Sequence, residues 1–246
     1  MKSNIRAWGA TETGKRRRTN QDSFFINPPR RLMAVADGMG GAVAGELASR
    51  LFVETLAGVH EDELPTSSQS SGRLVQRIYR QANRKIRDHI RQNPHHEGMG
   101  CTAEVLSLYP GGFLVGHVGD SRSYRYRQDS LTQLSTDHSF IQEQLDQGMI
   151  TREEAQNHRM RHVILRAVGT EDEVQVDLIQ GLSVDGDIYL LCSDGLTDMV
   201  EDRAIKEVLQ RRAPLEHKGR ALMDQALSAG GLDNITLVLA EMASRG

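Results

Sequence analysis

Four aspartates stand at the ends of short apolar segments that are typical of buried strands: Asp37, Asp120, Asp194 and Asp233. A strand end holds a carboxylate on rigid backbone at the rim of a sheet, so several such ends can converge. Converging carboxylates repel one another unless cations neutralise them, and all-oxygen sites suit Mg²⁺ or Mn²⁺. The pattern favours a sheet-based fold with a metal site at its rim. Acidic turns that only cap a β structure are the alternative.

The apolar segments of strand length occur in runs, whereas the helical patterns come in pairs. Such an arrangement indicates an α+β fold with antiparallel sheets and not an alternating βαβ fold. Helices are predicted at 47–59, 74–90, 204–211 and 218–227. Strands are predicted at 32–36, 102–108, 113–118, 123–127, 174–179, 188–192 and 235–240.

Two polar stretches interrupt this pattern. The Ser-rich stretch 65–72 predicts a flexible loop between the first two helices, because its composition is typical of loops. Residues 139–166 combine a few apolar positions with many polar ones and predict a small helical insertion, a flap over a site. Neither stretch is typical of a linker, so we expect one domain over 1–246 with the flap inserted at about 139–166.

Composition narrows the class of protein. The chain has 246 residues, 38% of them hydrophobic, and a net charge of −3, which fits a globular protein. It has no apolar run of about 18 residues and no secretory signal at its start, and its two cysteines do not form a disulfide framework. We therefore expect a cytoplasmic protein with no membrane partner. The negative charge argues against nucleic-acid binding, which needs a basic surface.

Eight segments, in order along the chain, resemble the metal-dependent serine/threonine protein phosphatases of the PPM group (type 2C) in their small bacterial form. They include RRTNQDS at 17–23, DGMGG at 37–41, GDSR at 119–122, SDG at 193–195 and DN at 233–234. The remaining matching segments are 45–49, 98–102 and 136–139. The resemblance implies a sandwich of two antiparallel sheets with a pair of helices on each outer side, in four layers.

The resemblance also implies a binuclear centre of Mg²⁺ or Mn²⁺. Asp37 matches the acid that bridges two metals, and Gly38 matches the residue whose carbonyl belongs to the coordination shell. Asp194 and Asp233 match the other acids of the centre. Together these groups would activate a water that attacks phosphorus, with no covalent phosphoenzyme.

Three further roles follow from the same resemblance. Asp22 matches an acid that holds the metal shell through water, and Asp120 matches the acid of a third, weaker metal site. Arg17 matches the arginine that contacts the substrate phosphate, although its neighbours Arg16 and Arg18 leave this register open. The implied partners are phosphorylated proteins and a serine/threonine kinase whose action the chain opposes. We expect a monomer.

The chain departs from the family at three positions. Ala42 and Met39 stand where some members have histidine, and Cys101 stands where many have threonine. No general acid for the leaving group is therefore assigned. Two other functions remain as alternatives: a binding module on the same fold, which predicts loss of a metal-holding acid, and a two-metal nuclease, which predicts a basic groove.

Overall fold

The computed structural model describes residues 5–40, 44–60, 64–156 and 158–243. Within these residues two antiparallel sheets pack face to face. The first sheet has five strands, in the order β1, β11, β10, β7, β8. Their bounds are β1 (Ile5–Glu12), β11 (Ile235–Met242), β10 (Ile188–Cys192), β7 (Arg122–Arg127) and β8 (Ser130–Gln133).

The second sheet follows the order β2, β3, β5, β6, β9, with a short sixth strand, β4, beside the end of β3. This side strand extends the sheet at the rim where the acidic residues lie. The bounds are β2 (Asp22–Asn27), β3 (Leu32–Met39), β4 (Gly100–Cys101), β5 (Ala103–Tyr109), β6 (Gly112–Val118) and β9 (Asp177–Leu182).

A helix pair covers the outer face of each sheet. Helices α1 (Ala44–Ala57) and α2 (Ser68–Gln92) pack on the six-stranded sheet, and α6 (Asp202–Gln210) and α7 (Leu215–Ser228) pack on the other. A 3₁₀ helix (Pro94–His96) and three short α-helices complete the described set: α3 (Phe140–Asp146), α4 (Arg152–Gln156) and α5 (Asp194–Thr197). No helix among the described residues combines the length and apolar character that a membrane span requires.

Strand β3 shows why the sandwich forms. Its side chains alternate between two cores, with Leu32, Ala34 and Ala36 facing the helices and Met33 and Val35 facing the other sheet. A strand buried on both faces is apolar at nearly every position, which explains the continuous run at 32–36. The central core between the sheets and the two helix-facing cores therefore stack as four layers.

The predicted α+β sandwich is confirmed, as are the four long helices, while some boundaries are wrong. The stretch 65–72 is not a loop throughout, because α2 already begins at Ser68. Ser67 caps this helix: its hydroxyl accepts from Ser70 N–H at 3.3 Å, and Ser70 Oγ accepts from Ser67 N–H at 3.0 Å. A capping box thus turns a serine-rich segment into a helix start.

The strand predicted at 174–179 lies instead at Asp177–Leu182, and β1, β2, β4 and β8 were not predicted. β1 lacks an apolar run because it is only partly buried, with Arg6 and Glu12 exposed and Ala7 half-buried. Its pairing with β11 over eight residues, and not its own composition, makes it a strand.

Candidate metal centre

Five aspartates that are far apart in the sequence meet at one rim of the sandwich. Asp22 and Asp37 are cross-strand partners at the ends of β2 and β3. Asp120 follows β6, Asp194 begins α5 directly after β10, and Asp233 precedes β11. The two sheets therefore both contribute, since the first three acids come from the six-stranded sheet and the last two from the five-stranded sheet.

The electrostatics of these acids show an excess of negative charge. Burial, assisted by the charge of Asp233, raises the pKa of Asp22 to about 6. Burial and the charge of Asp137 raise the pKa of Asp120 to about 7. Burial also holds the pKa of Asp37 and of Asp194 well above the usual range, with neighbouring aspartates adding to the effect. The protein alone thus does not neutralise the cluster.

Two oxygens of the cluster lack any hydrogen-bond donor among the described residues. They are Oδ1 of Asp22 and Oδ1 of Asp194, both buried. The other oxygen of Asp22 accepts a 2.8 Å hydrogen bond from Ser193 Oγ, which fixes the carboxylate. Buried carboxylate oxygens without donors are costly unless a cation meets them. An anionic, all-oxygen donor set of this kind fits hard divalent cations.

Gly38 occupies a position where only glycine fits. A Cβ there would collide with the backbone carbonyl of Gly45 and would lie 2.6 Å from the carbonyl oxygen of Gln21. The Gly38 N–H donates to that same Gln21 oxygen at 3.1 Å. The backbone of β3 is thereby pressed against the start of α1, which fixes Gly38 beside Asp37 at the rim.

Arg17 is the arginine of the N-terminal basic run that reaches the acids. Its Nη2 donates to Asp233 Oδ2 at 2.6 Å, and the charges of Asp194 and Asp37 add to the hydrogen bond in raising its pKa. Arg16 and Arg18 form no ion pair with any residue that the structure describes. This geometry favours the register in which Arg17 faces the site.

Asn234 holds the loop that carries Arg17. Its Nδ2 donates to the carbonyls of Thr13 and Thr19, both at 2.9 Å, and its Oδ1 accepts from the Gln21 N–H at 2.9 Å. Asn234 is buried and adjoins Asp233. One amide therefore ties the arginine loop to the turn that carries a metal-site acid. In the sequence alone, Asn234 has no role beyond its place in a motif.

The predicted flap stands beside the acids and contains α3 and α4. Its two ends meet where the Phe140 N–H donates to the Val163 carbonyl at 2.9 Å. A cavity of 490 Å³ lies between the flap and the rim, with Asp120 and Asp194 on the rim side and Arg161 and His162 on the flap side.

His162 is a candidate ligand that sequence reasoning missed. One ligand atom each of His162, Asp194 and Asp198 lies within 4.8 Å of the other two. Asp198 carried a signal, because it follows Asp194 by four residues and so shares a helix face with it. His162 carried none, since only the folding of the flap brings it to the rim.

The two cysteines and the positions that depart from the family pattern can now be placed in the structure. Cys101 and Cys192 are both buried and form no disulfide. Burial raises the pKa of each thiol, so neither is suited to act as a nucleophile. Ala42 lies outside the described residues. Met39 ends β3 beside Gly100 of β4.

A sequence profile of the family "Protein phosphatase 2C" matches residues 11–229. The chain belongs to the protein phosphatase 2C family. This membership confirms the predicted family.

Two relatives of this phosphatase 2C chain differ in length. The serine/threonine protein phosphatase PstP of Mycobacterium tuberculosis is 40% identical over 97% of this chain, but the chain spans only 45% of that protein. The protein phosphatase PhpP of Streptococcus pneumoniae is 36% identical over 94% of this chain and 95% of its own length. The similarity thus covers nearly all of this phosphatase 2C chain.

A solved structure supports the same assignment. The catalytic domain of PstP in complex with two manganese ions superimposes with a TM-score of 0.89 at 37% identity. The match covers 98% of this chain and 99% of the solved one. A phosphatase 2C chain with this fold and this acidic rim therefore has a close structural counterpart with two metal ions.

Proposed function

We propose that this chain hydrolyses phosphoserine and phosphothreonine in proteins and depends on two divalent cations, Mn²⁺ or Mg²⁺. The observation that carries the proposal is the convergence of five buried or half-buried aspartates, two of which have a carboxylate oxygen with no donor among the described residues. Such a cluster suits phosphoryl transfer, which needs positioning and charge neutralisation more than it needs a covalent nucleophile.

The proposal assigns each acid a part. Asp37, Asp194 and Asp233, with the carbonyl of Gly38, would hold the two cations. When bound, such cations lower the pKa of water toward neutrality and offset the charge of a phosphoryl group. Asp22 would hold the metal shell indirectly, through water, since one of its oxygens already accepts a 2.8 Å hydrogen bond from Ser193 Oγ. Asp120 would contribute to a third, weaker site.

Arg17 would bind the phosphate. Its guanidinium now donates to Asp233 at 2.6 Å, and a phosphate dianion offers a stronger acceptor for the same fork of donors. A cation held by Asp233 would offset the charge of this carboxylate, and the Arg17 guanidinium would then be available to the substrate phosphate. The hydrogen bonds of Asn234 would keep the loop that carries Arg17 near the acids.

The experiment is phosphate release from a phosphothreonine peptide with Mn²⁺, with Mg²⁺ and with chelator. The variant is Asp194→Asn, which keeps the shape of the side chain but removes its charge. The matched control is Asp224→Asn, which makes the same change on the exposed face of α7. We expect metal-dependent release that falls at least about 100-fold in Asp194→Asn and is unchanged in Asp224→Asn.

The alternative on the same fold is a module that binds phosphoproteins without cleaving them. A folded, metal-loaded protein that binds the peptide and releases no phosphate would establish that alternative. Equal loss of activity in both variants would instead show that the Asp194 site has no special part in the reaction.

The proposal extends to the setting of the reaction. The substrates would be phosphorylated proteins, and the chain, as a monomer in the cytoplasm, would oppose a cognate serine/threonine kinase. Support comes from the relatives named above as serine/threonine phosphatases and from the two unpaired cysteines, which suit a reducing compartment. Comparing phosphosites in cells with and without the protein tests this part, and unchanged phosphoserine and phosphothreonine levels would refute it.

A further inference from the structure

Helix α2 carries a stripe of arginines along one side. Their spacing alternates between four and three residues, which keeps them on one face of a helix. The apolar residues of α2 face the sheet, so the stripe belongs to the outer side of the sandwich. Its members are Arg73, Arg77, Arg80, Arg84, Arg87 and Arg91.

Four of these arginines, from Arg80 to Arg91, line a groove of 520 Å³. The opposite wall is the segment that leaves the flap, including Asp172, Glu173 and two valines. Asn83 fixes this wall, because its Nδ2 donates to the carbonyls of Glu171 and Asp172 at 3.0 and 3.1 Å. The groove is therefore built into the fold and needs no rearrangement to form.

The arginines of the groove are not all neutralised. Arg87 donates to Asp172 at 2.5 Å, and Arg91 donates to Asp88 at 2.9 Å. Arg80 and Arg84 are exposed and form no ion pair with any residue in the described part of the chain. The groove thus keeps two available guanidinium groups on a chain whose net charge is −3. Guanidinium groups bind carboxylates and phosphates through two parallel hydrogen bonds.

The groove begins close to the metal centre. Cys101 of β4 pairs with Gly38 on one side and forms a bridge with Val168 on the other. Two strand spacings, about 10 Å, therefore separate Gly38 from Val168. Gly169 follows directly and donates its N–H to Asn83 Oδ1 at 2.6 Å, which leads into the groove.

We propose that this groove binds an acidic segment of the phosphoprotein substrate, several residues away from the phosphorylated side chain. The proposal rests on the proposed phosphatase function and names the class of substrate that the site prefers. Arg80 and Arg91 are separated by about 16 Å of helix, the length of about five extended residues. Charge complementarity and this length together favour an acidic peptide over a small anion.

The test compares two phosphothreonine peptides that differ only in a tail of four glutamates or four glutamines. The tail is placed before the phosphothreonine in one set and after it in a second set. In low salt we expect kcat/KM to be about tenfold higher for a glutamate tail in at least one set, through KM. The variant Arg80→Glu/Arg84→Glu should lose this preference and hydrolyse p-nitrophenyl phosphate as before.

The control Arg203→Glu/Arg220→Glu changes the net charge equally on α6 and α7, and it should keep the preference. Equal kcat/KM for both tails in the unmodified protein would overturn the proposal, as would an equal loss in the control. Loss of binding to phosphatidylserine vesicles in the Arg80→Glu/Arg84→Glu variant, with the tail preference intact, would assign the groove to a lipid surface instead. Failure of the unmodified protein to hydrolyse even p-nitrophenyl phosphate with Mn²⁺ would count against the phosphatase function itself.

Discussion

Individual carboxylates at the rim oppose folding when no cation is present. Burial makes their ionised form unfavourable, which is why the pKa of Asp194 and of Asp37 is raised. A residue that serves the fold would be paired, as Asp187 is with Arg127 at 2.6 Å. The acids of the rim are thus retained at a cost in stability, which is a mark of a binding or catalytic site.

This conflict predicts that Asp194→Asn stabilises the metal-free protein while abolishing activity. Removing one buried charge should raise the free energy of unfolding by about 1–2 kcal/mol at pH 7.5. The melting temperature in chelator should therefore rise by about 2–6 °C. Scanning calorimetry with excess chelator measures the melting temperature, with Asp224→Asn as the reference. A lower melting temperature for Asp194→Asn would show that the carboxylate is satisfied within the protein.

At the level of elements, the loop that carries Arg17 depends on hydrogen bonds from Asn234, which lies in a different part of the chain. Asn234→Ala removes three hydrogen bonds and should raise KM for a phosphothreonine peptide several-fold, because Arg17 is no longer held near the site. It should also lower stability by about 1–3 kcal/mol.

A double-mutant cycle separates these two effects. If Asn234 acts through Arg17, the rise in KM caused by Asn234→Ala should vanish in an Arg17→Ala background. The loss of stability should remain in that background, since the hydrogen bonds to Thr13 and Thr19 do not involve Arg17. Additive changes in KM would mean that Asn234 affects the site by another route.

The elements also show how far sequence alone could go. Strands β3, β5, β6, β10 and β11 were predictable because burial on both faces makes them largely apolar. β1 and β8 were not, because their partners and not their composition hold them in the sheet. The start of α2 was missed because a capping box overrides the loop character of serine.

For the site, ordered motifs identified seven residues that the fold brings to one region. His162 and Asn234 could not be assigned in that way. The position of His162 depends on how the flap folds back, and the importance of Asn234 lies in three contacts with a loop more than 200 residues earlier. Such relations are properties of tertiary structure and leave no local pattern.

Across the whole molecule, a buried ion pair within the six-stranded sheet is linked to the other sheet by a serine. His117 Nδ1 bonds Glu104 between β6 and β5, and Ser123 Oγ of the opposite sheet donates to the same carboxylate. Both His117 and Glu104 are fully buried. Burial alone lowers the pKa of His117, but the charge of Glu104 and their hydrogen bond outweigh it and raise the pKa to about 8.

This pair predicts a loss of stability in mild alkali. The folded protein keeps the His117 proton up to about pH 8, whereas the unfolded chain loses it near about pH 6.5. The stabilisation is therefore complete below about pH 6.5 and lost as the pH rises through about 8, with a magnitude of about 2 kcal/mol. Urea unfolding at pH 6 and pH 9 with saturating Mg²⁺ measures the difference.

The control for this experiment is Glu104→Gln/His117→Gln, which removes both charges of the pair together. The difference in unfolding free energy between pH 6 and pH 9 should shrink by about 2 kcal/mol in this variant. An unchanged difference would trace the pH dependence to other groups.

The order of strands in the five-stranded sheet has a consequence for biosynthesis. β11, the last strand along the described chain, lies between β1, the first, and β10. On a ribosome, β1 therefore has no neighbour in its sheet until residues near Met242 have left the exit tunnel. Asp233 directly precedes that strand, so the set of five acids is incomplete until the region of β11 has been synthesised. Assembly of the proposed metal centre would therefore have to wait until residues 233–242 have been synthesised and β11 has paired with β1.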